Sequence, residues 1–204
     1  MVYTSLFLTG LISLVLLIYH WGENKGVIYL VILLVSASAR QLVFLLVNIQ
    51  TDTSLLALLF LHLDALFCLI GPAGLYYFQS VLKGRLVLDW ALLLHLIPAL
   101  VILLNTLPYY GVPFAEKLQF VAQVQADDPS RENNFPYLLF HYHWQKLFLP
   151  AYNILYVFIS FAYAIRVRQK GKLYVKRKVW FLLTRVMWVI LISIVPIVLL
   201  ALYS

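Results

Sequence analysis

Two oppositely charged side chains lie inside long apolar runs of this sequence. Arg40 falls in the apolar stretch 26–48 and Asp64 in the stretch 54–82. Ionisable side chains at membrane depth are costly and normally face the interior of a helix bundle in pairs. At about 1.5 Å of rise per residue, the two depths differ by only ~3 Å. The sequence therefore predicts an Arg40–Asp64 ion pair, as a structural clamp or as a ligand-sensing or proton-linked site.

Histidines occur near the middle of two neighbouring apolar stretches, at His62 and His95. Paired histidines of a helix bundle can hold haem, but bulky Leu, Phe and Ile crowd both positions. Hydrogen bonds across the bundle are the favoured interpretation. A polar and aromatic pocket is a further hypothesis, with six candidate lining residues: His62, His95, Tyr76, Tyr77, Asn153 and Tyr156.

The segment "FHYHW" alternates His141 and His143 with aromatic residues. Aromatic residues are typical of the membrane–water interface, and this is the favoured interpretation. A metal or pH-responsive site is the alternative, with Asp127 and Asp128 as nearby acids. The sequence contains no metalloprotease, nucleophile-elbow or phosphate-loop motif. We therefore expect neither enzymatic activity nor a bound cofactor.

A helix break is predicted at Gly71–Pro72, in the middle of the stretch 54–82. Proline has no backbone N–H and its ring collides with the carbonyl group one turn earlier, so it bends a helix. The same segment ends in Lys83 and Arg85. The sequence thus predicts a bendable helix that carries an acid at one end and cations at the other.

The elements that position these residues must be membrane helices. Hydrophobic residues make up 64% of the 204 residues, charged residues only 11%, and the mean hydropathy is +0.92. Soluble domains average about 45–50% apolar and about 25% charged residues. The one cysteine, Cys68, excludes an intrachain disulfide. Lipid is therefore the expected solvent for most of the surface.

Six stretches are long and apolar enough to span a bilayer, which takes about 20 residues. We expect an all-α bundle in one transmembrane domain, 1–204. The first stretch lacks the basic start of a signal peptide and is expected to be retained. The predicted spans are 2–19, 26–48, 54–82, 86–106, 146–166 and 178–203.

Orientation follows from the basic residues of the short loops, which favour the cytoplasm. The loop after the fifth span carries most of the net charge of +7. The other loops alternate consistently with it, so the amino terminus and Ser204 are expected outside. We expect no direct contact with nucleic acid. The cytoplasmic cations are Arg166, Arg168, Lys170, Lys172, Lys176, Arg177 and Lys178.

The long outer loop, 107–145, contains a short amphipathic pattern over 113–125. Phe114, Leu118, Val121 and Val124 recur at helical spacing. This pattern predicts an interfacial helix over the outer mouth of the bundle.

Short motifs resemble one known family. "LIGPAGLYYFQSVLKGR", with Gly71, Pro72, Tyr76 and Tyr77, is followed by "LLLHLIPALVILL" and "LPYY". These segments resemble the membrane sensor half of bacterial AraC-type transcriptional regulators and related sensor kinases, although Leu96 replaces the usual aromatic residue. The resemblance implies a seventh helix and a cytoplasmic output module, which this sequence does not contain.

The function expected from the sequence is that of a non-enzymatic, multi-pass sensor of the bacterial inner membrane. It would bind a small or lipophilic ligand and relay the signal to a cytoplasmic output module. Two alternatives remain open. One is an accessory subunit that packs against membrane protein partners, and the other is a haem- or quinone-binding membrane protein.

Overall fold

A computed structural model describes residues 10–15, 18–19, 21–22, 24–49, 52–126 and 137–169. These residues form helices and connecting turns and contain no strand, and 10–15 and 18–19 are also helical. We label the bounded helices in chain order. They are α1 (Val27–Ile49), α2 (Thr53–Leu59), α3 (Asp64–Phe67), α4 (Ile70–Lys83), α5 (Trp90–Tyr110), α6 (Phe114–Gln125) and α7 (Tyr142–Gln169).

Within this part of the chain, four helical segments are long and apolar enough to cross a membrane. They overlap the second to fifth spans expected from the sequence, although the third begins ten residues later than expected, and they indicate a helical membrane protein. The predicted span 2–19 is described only in part, and 178–203 lies outside the described residues. The four segments are Val27–Asn48, Asp64–Lys83, Trp90–Tyr110 and Trp144–Val167.

The stretch 54–82 differs from the sequence expectation because it is not one helix. A turn over 60–63 separates α2 from α3, and a second turn at Cys68–Leu69 separates α3 from α4. In the first turn Leu61 has a φ of 60°, a left-handed conformation that is uncommon for a residue other than glycine. Its side chain is only 1% exposed, so packing in the core holds this conformation.

Tyrosines of α5 satisfy the backbone groups that the first turn leaves free. The hydroxyl of Tyr109 donates to the carbonyl oxygen of Ala57 at 3.1 Å, and that of Tyr110 donates to the carbonyl oxygen of His62 at 3.1 Å. In lipid, no water is present to accept or donate these bonds. The interrupted backbone is therefore stable only because α5 lies against it.

The second turn is bridged from α7 by Asn153. Its Oδ1 accepts from the Gly71 N–H at 2.8 Å, and its Nδ2 donates to the Phe67 carbonyl oxygen at 3.1 Å. Pro72 lies in the first turn of α4, where its missing N–H is tolerated. The interruption lies at Cys68–Leu69, less than one turn before the predicted break at Gly71–Pro72. Pro72 has no N–H to donate to the carbonyl oxygen of Cys68, so the helix is interrupted at Cys68 and not at the proline itself.

The bundle is built on α4, which lies in the most buried of the four candidate spans, Asp64–Lys83. It packs against α1 on one side and α7 on another, while α3 packs against α5 and α2 against α6. One large apolar cluster joins α1 to α7 through residues such as Leu33, Leu56, Ile70 and Ile102. By contrast, α5 is only 17% buried over its apolar window, so most of its surface is left for lipid.

The connections divide between two ends of the bundle. At one end, the Asn24 side chain donates to the Ser80 carbonyl oxygen, and the Tyr29 hydroxyl donates to the Val87 carbonyl oxygen. At this end, too, Leu82 of α4 packs with Ala164 of α7. We call it the basic end because it carries four exposed cations: Lys25, Lys83, Arg85 and Arg166.

The opposite end carries α6, so the helix expected over 113–125 is present. Gln125 joins it to two elements, donating to the Leu46 carbonyl oxygen at 3.0 Å and accepting from the Thr53 hydroxyl at 3.0 Å. Phe120 and Val121 are buried against the bundle, whereas Phe114 is 45% exposed. The helix therefore covers the end of the bundle with one face, as the predicted spacing requires.

Gly71→Ala is expected to destabilise the protein. A Cβ at this position would lie 2.8 Å from the Cβ of Tyr156, an atom fixed to the backbone of α7. Overpacking of this kind costs about 1–3 kcal/mol, and thermal unfolding in detergent measures it. Gly111→Ala is the matched control, because its nearest neighbour would be an oxygen at an ordinary 3.7 Å. Equal melting temperatures for the two variants would contradict close α4–α7 packing.

Candidate functional site

A chain of hydrogen bonds connects Asp64 to the segment that precedes α7. Gln145 Nε2 donates to Asp64 Oδ2 at 2.5 Å, and Asn105 Nδ2 donates to Gln145 Oε1 at 3.0 Å. Asn105 Oδ1 accepts from the backbone N–H groups of Leu139 and Phe140 at 2.9 and 3.0 Å. Asp64, Asn105 and Gln145 are all buried. We call this chain the Asp64 relay.

The direction of every bond in the relay follows from its backbone end. The N–H groups of Leu139 and Phe140 can only donate, so the atom of Asn105 that faces them must be its oxygen. Asn105 then presents its NH₂ group to Gln145, and Gln145 presents its own NH₂ group to Asp64. An acceptor oxygen at Asp64 therefore matches the orientation set from 139–140.

Arg40 lies beside this relay on α1. Its guanidinium carbon is 4.7 Å from the centroid of the Phe67 ring, one turn along α3 from Asp64, and its charge interacts with the Asp64 carboxylate. The structure thus brings both residues of the predicted ion pair into electrostatic range inside the bundle. The ion pair as a direct contact stays a prediction.

A second polar group forms nearer the basic end, between α4, α5 and α7. The Tyr156 hydroxyl bonds His95 Nδ1, and the Tyr152 hydroxyl lies 3.1 Å from that of Tyr156. The Tyr152 hydroxyl also donates to the His95 carbonyl oxygen at 3.1 Å. The His95 ring packs edge-on against Tyr76. We call these four residues the tyrosine–histidine cluster.

Asp89, which the sequence analysis did not consider, joins this cluster. Its Oδ1 accepts from the Tyr76 hydroxyl at 2.6 Å and from the Leu92 N–H at 3.2 Å, so it also caps the start of α5. The sequence offered one signal, since an aspartate just before a helix is a favoured cap. The hydrogen bond to Tyr76 depends on the position of α4, so the spacing of the two residues in the sequence does not predict it.

His62 lies apart from the other candidate pocket residues. It contacts the rings of Tyr109 and Tyr110 at the carboxyl end of α5, whereas His95 lies near the amino end. Fourteen residues of helix separate Tyr109 from His95, which is about 21 Å. The hypothesis of a haem shared by His62 and His95 is therefore wrong, because one iron cannot reach both rings.

The remaining pocket candidates divide in the same way. Tyr76 and Tyr156 belong to the tyrosine–histidine cluster, while Asn153 is fully engaged in bridging α7 to the turn before α4. Tyr77 is partly buried against the small group formed by Tyr29, Tyr76 and Val87. The structure thus brings together half of the proposed set, centred on His95.

The candidate metal site and the basic loop are described only in part. His141 is exposed and directly precedes α7, and His143 lies in its first turn rather than before the helix. Asp127 and Asp128 lie outside the described residues, and the described part of the chain has no group of three metal-ligating side chains. Arg166 and Arg168 belong to α7, whereas the cations from Lys170 to Lys178 lie outside the described residues.

A double-mutant cycle tests the coupling of Arg40 to Asp64. Asp64→Asn keeps an oxygen that accepts from Gln145 and removes only the charge, and Arg40→Gln removes the partner charge. We expect a coupling of about 0.5–3 kcal/mol in the free energy of unfolding, as for contacting residues. Unfolding in mixed micelles measures it, and effects that simply add would show that the two charges do not interact.

Haem titration tests the separation of the two histidines. Haemin is added to the purified wild type and to the His62→Ala/His95→Ala double variant, and their absorbance spectra are compared. We expect the wild type to show no more bis-histidine ligation than the double variant. The physical reason is the distance between the rings along α5. A bis-histidine Soret band that disappears in either single variant would contradict this arrangement.

Comparison of the chain with protein-family models, with curated proteins and with solved structures finds no match. The function is therefore inferred from the geometry of the Asp64 relay and the tyrosine–histidine cluster.

Proposed function

We propose that this chain is a multi-pass sensor domain of the bacterial cytoplasmic membrane, without enzymatic activity of its own. It responds to an outer-side or lipophilic ligand and passes the change to a cytoplasmic output module. The resemblance of its Gly-Pro and Leu-His segments to AraC-type membrane sensors supports this proposal. The amino terminus lies outside in this arrangement, with six spans in total.

The observation that carries the proposal is the Asp64 relay. It begins at the backbone of Leu139 and Phe140, where the Leu139 side chain is 56% exposed. It ends at a carboxylate in an interrupted helix that also feels the charge of Arg40. Ligand contact at 138–140 would move the backbone N–H groups that donate to Asn105 Oδ1. The change would then reach α3 and α1 through two amide groups.

The two ends of the bundle suit opposite sides of a membrane. Four exposed cations gather at the basic end, which favours the cytoplasm by the positive-inside rule. The relay begins at the other end, where the backbone of 139–140 bonds Asn105 near the carboxyl end of α5. Signal entry and output would therefore lie on opposite sides, and α4, packed against both α1 and α7, connects them.

Distance measurements between spin labels test the relay without a known ligand. Labels at Lys25 and Arg166, in a Cys68→Ala background, report the separation of α1 from α7 at the basic end. Asn105→Leu removes the central relay residue at the opposite end. We expect the label distance in nanodiscs to change by roughly 1–2 Å or more, as helix shifts in switching proteins do.

Leu104→Ala is the matched control, because Leu104 neighbours Asn105 but is 49% exposed. It is expected to leave the label distance unchanged. An unchanged distance in the folded Asn105→Leu variant would argue against a sensor. Affinity purification from native membranes then tests the accessory-subunit alternative, which requires stoichiometric protein partners.

A further inference from the structure

The connection between α4 and α5 presents cations and apolar side chains on one surface of the basic end. Lys83 and Arg85 are exposed on either side of Gly84, and Leu88 and Trp90 are 70% and 84% exposed. In a helical membrane protein, cations near the ends of spans favour the headgroups, and exposed apolar side chains favour the acyl chains. We call Lys83, Arg85, Leu88 and Trp90 the α4–α5 surface.

The backbone beneath this surface is fixed by several hydrogen bonds. Gly84 has a φ of 65° and ends α4, and the N–H groups of Gly84 and Arg85 both donate to the Ser80 carbonyl oxygen. The Val87 N–H donates to the Ser80 hydroxyl, and the Val87 carbonyl oxygen accepts from Tyr29. The two cations are therefore held on a defined loop, which lowers the entropy lost when a ligand binds.

The cations of this surface are available to an external anion. Within the described part of the chain, no hydrogen bond or ion pair uses the side chain of Lys83, Arg85 or Arg166. The described acid of this end, Asp89, is bound by the Tyr76 hydroxyl and the Leu92 N–H. Arg166 joins the same end because Leu82 packs against Ala164.

A soluble anion would not account for the apolar half of the surface. Leu88 and Trp90 lie within five residues after Arg85 and are more exposed than most apolar side chains in the described part of the chain. Tryptophan favours the headgroup level of a bilayer, and leucine favours the acyl region. A ligand with both a negative headgroup and acyl chains matches cations and apolar side chains together.

We propose that the α4–α5 surface is a binding site for one anionic phospholipid, whose phosphate group lies between Lys83 and Arg85 and whose acyl chains contact Leu88 and Trp90. Arg166 adds positive charge from α7. This site is independent of the sensor function, since it would anchor the basic end in either a sensor or a subunit.

Native mass spectrometry of the full chain tests the site. The protein is extracted from micelles that contain equal amounts of phosphatidylglycerol and phosphatidylcholine, and the ratio of the two bound lipids is measured. We expect the wild type to retain phosphatidylglycerol preferentially. Lys83→Gln/Arg85→Gln is expected to lower this preference about fivefold per cation removed.

Two controls separate charge at this site from other effects. Lys83→Arg/Arg85→Lys keeps both charges and is expected to retain the preference. Lys146→Gln removes one cation at the opposite end and is also expected to retain it. Equal retention of the two lipids by the wild type, or an unchanged preference in the double glutamine variant, would overturn the proposal.

Two further measurements distinguish a lipid from a soluble phosphate ligand. Glycerol 3-phosphate in millimolar excess is expected to leave the bound phosphatidylglycerol in place, and complete displacement would overturn the assignment to a lipid. Phosphatidylglycerol with brominated acyl chains is expected to quench a larger fraction of the tryptophan fluorescence of the wild type than of the Trp90→Phe variant. Equal quenching of the two would place the acyl chains elsewhere and overturn the site.

Discussion

The rest of the bundle depends on satisfying the backbone groups that two turns in the third apolar stretch leave free. A helix satisfies its own carbonyl and N–H groups, but the turns at 60–63 and at Cys68–Leu69 do not. Since lipid offers no hydrogen bonds, other helices must supply them. Tyr109 and Tyr110 do so from α5 and Asn153 from α7.

The same turns create room for polar chemistry inside the bundle. Asp64 begins the short helix between them and accepts from Gln145 on α7. Each residue of a helix is rotated by about 100° from the one before it. If the helix continued unbroken through 60–63, the Asp64 side chain would leave the helix at another angle and would not face Gln145. The interruption and the buried carboxylate are thus parts of one arrangement. Both depend on contacts that α5 and α7 make with the same segment.

The two polar groups differ in their connection to the surface. The Asp64 relay reaches the backbone of Leu139, which is exposed, and of Phe140, so it links the bundle interior to one end. The tyrosine–histidine cluster instead connects α7 to Asp89 and the first turn of α5 near the basic end. A sensor requires coupling between ends, and the candidate span Asp64–Lys83 contributes a residue to each group, Asp64 to the relay and Tyr76 to the cluster. This is the structural basis on which the proposed function depends.

The sequence by itself determined the membrane class, the approximate positions of the four described spans and the amphipathic helix at 114–125, because apolar length and period are local properties. Its estimate that Arg40 and Asp64 lie at similar depth counted residues along an unbroken helix, whereas a turn over 60–63 precedes Asp64, so the equal depth stays a prediction. The sequence could not show the turn at 60–63, since "FLHL" contains no glycine or proline to mark it. Nor could it separate His62 from His95 or find Gln145 and Asn105 as partners of Asp64. Those assignments depend on which helices pack together and on how they rotate, and only the tertiary structure decides this.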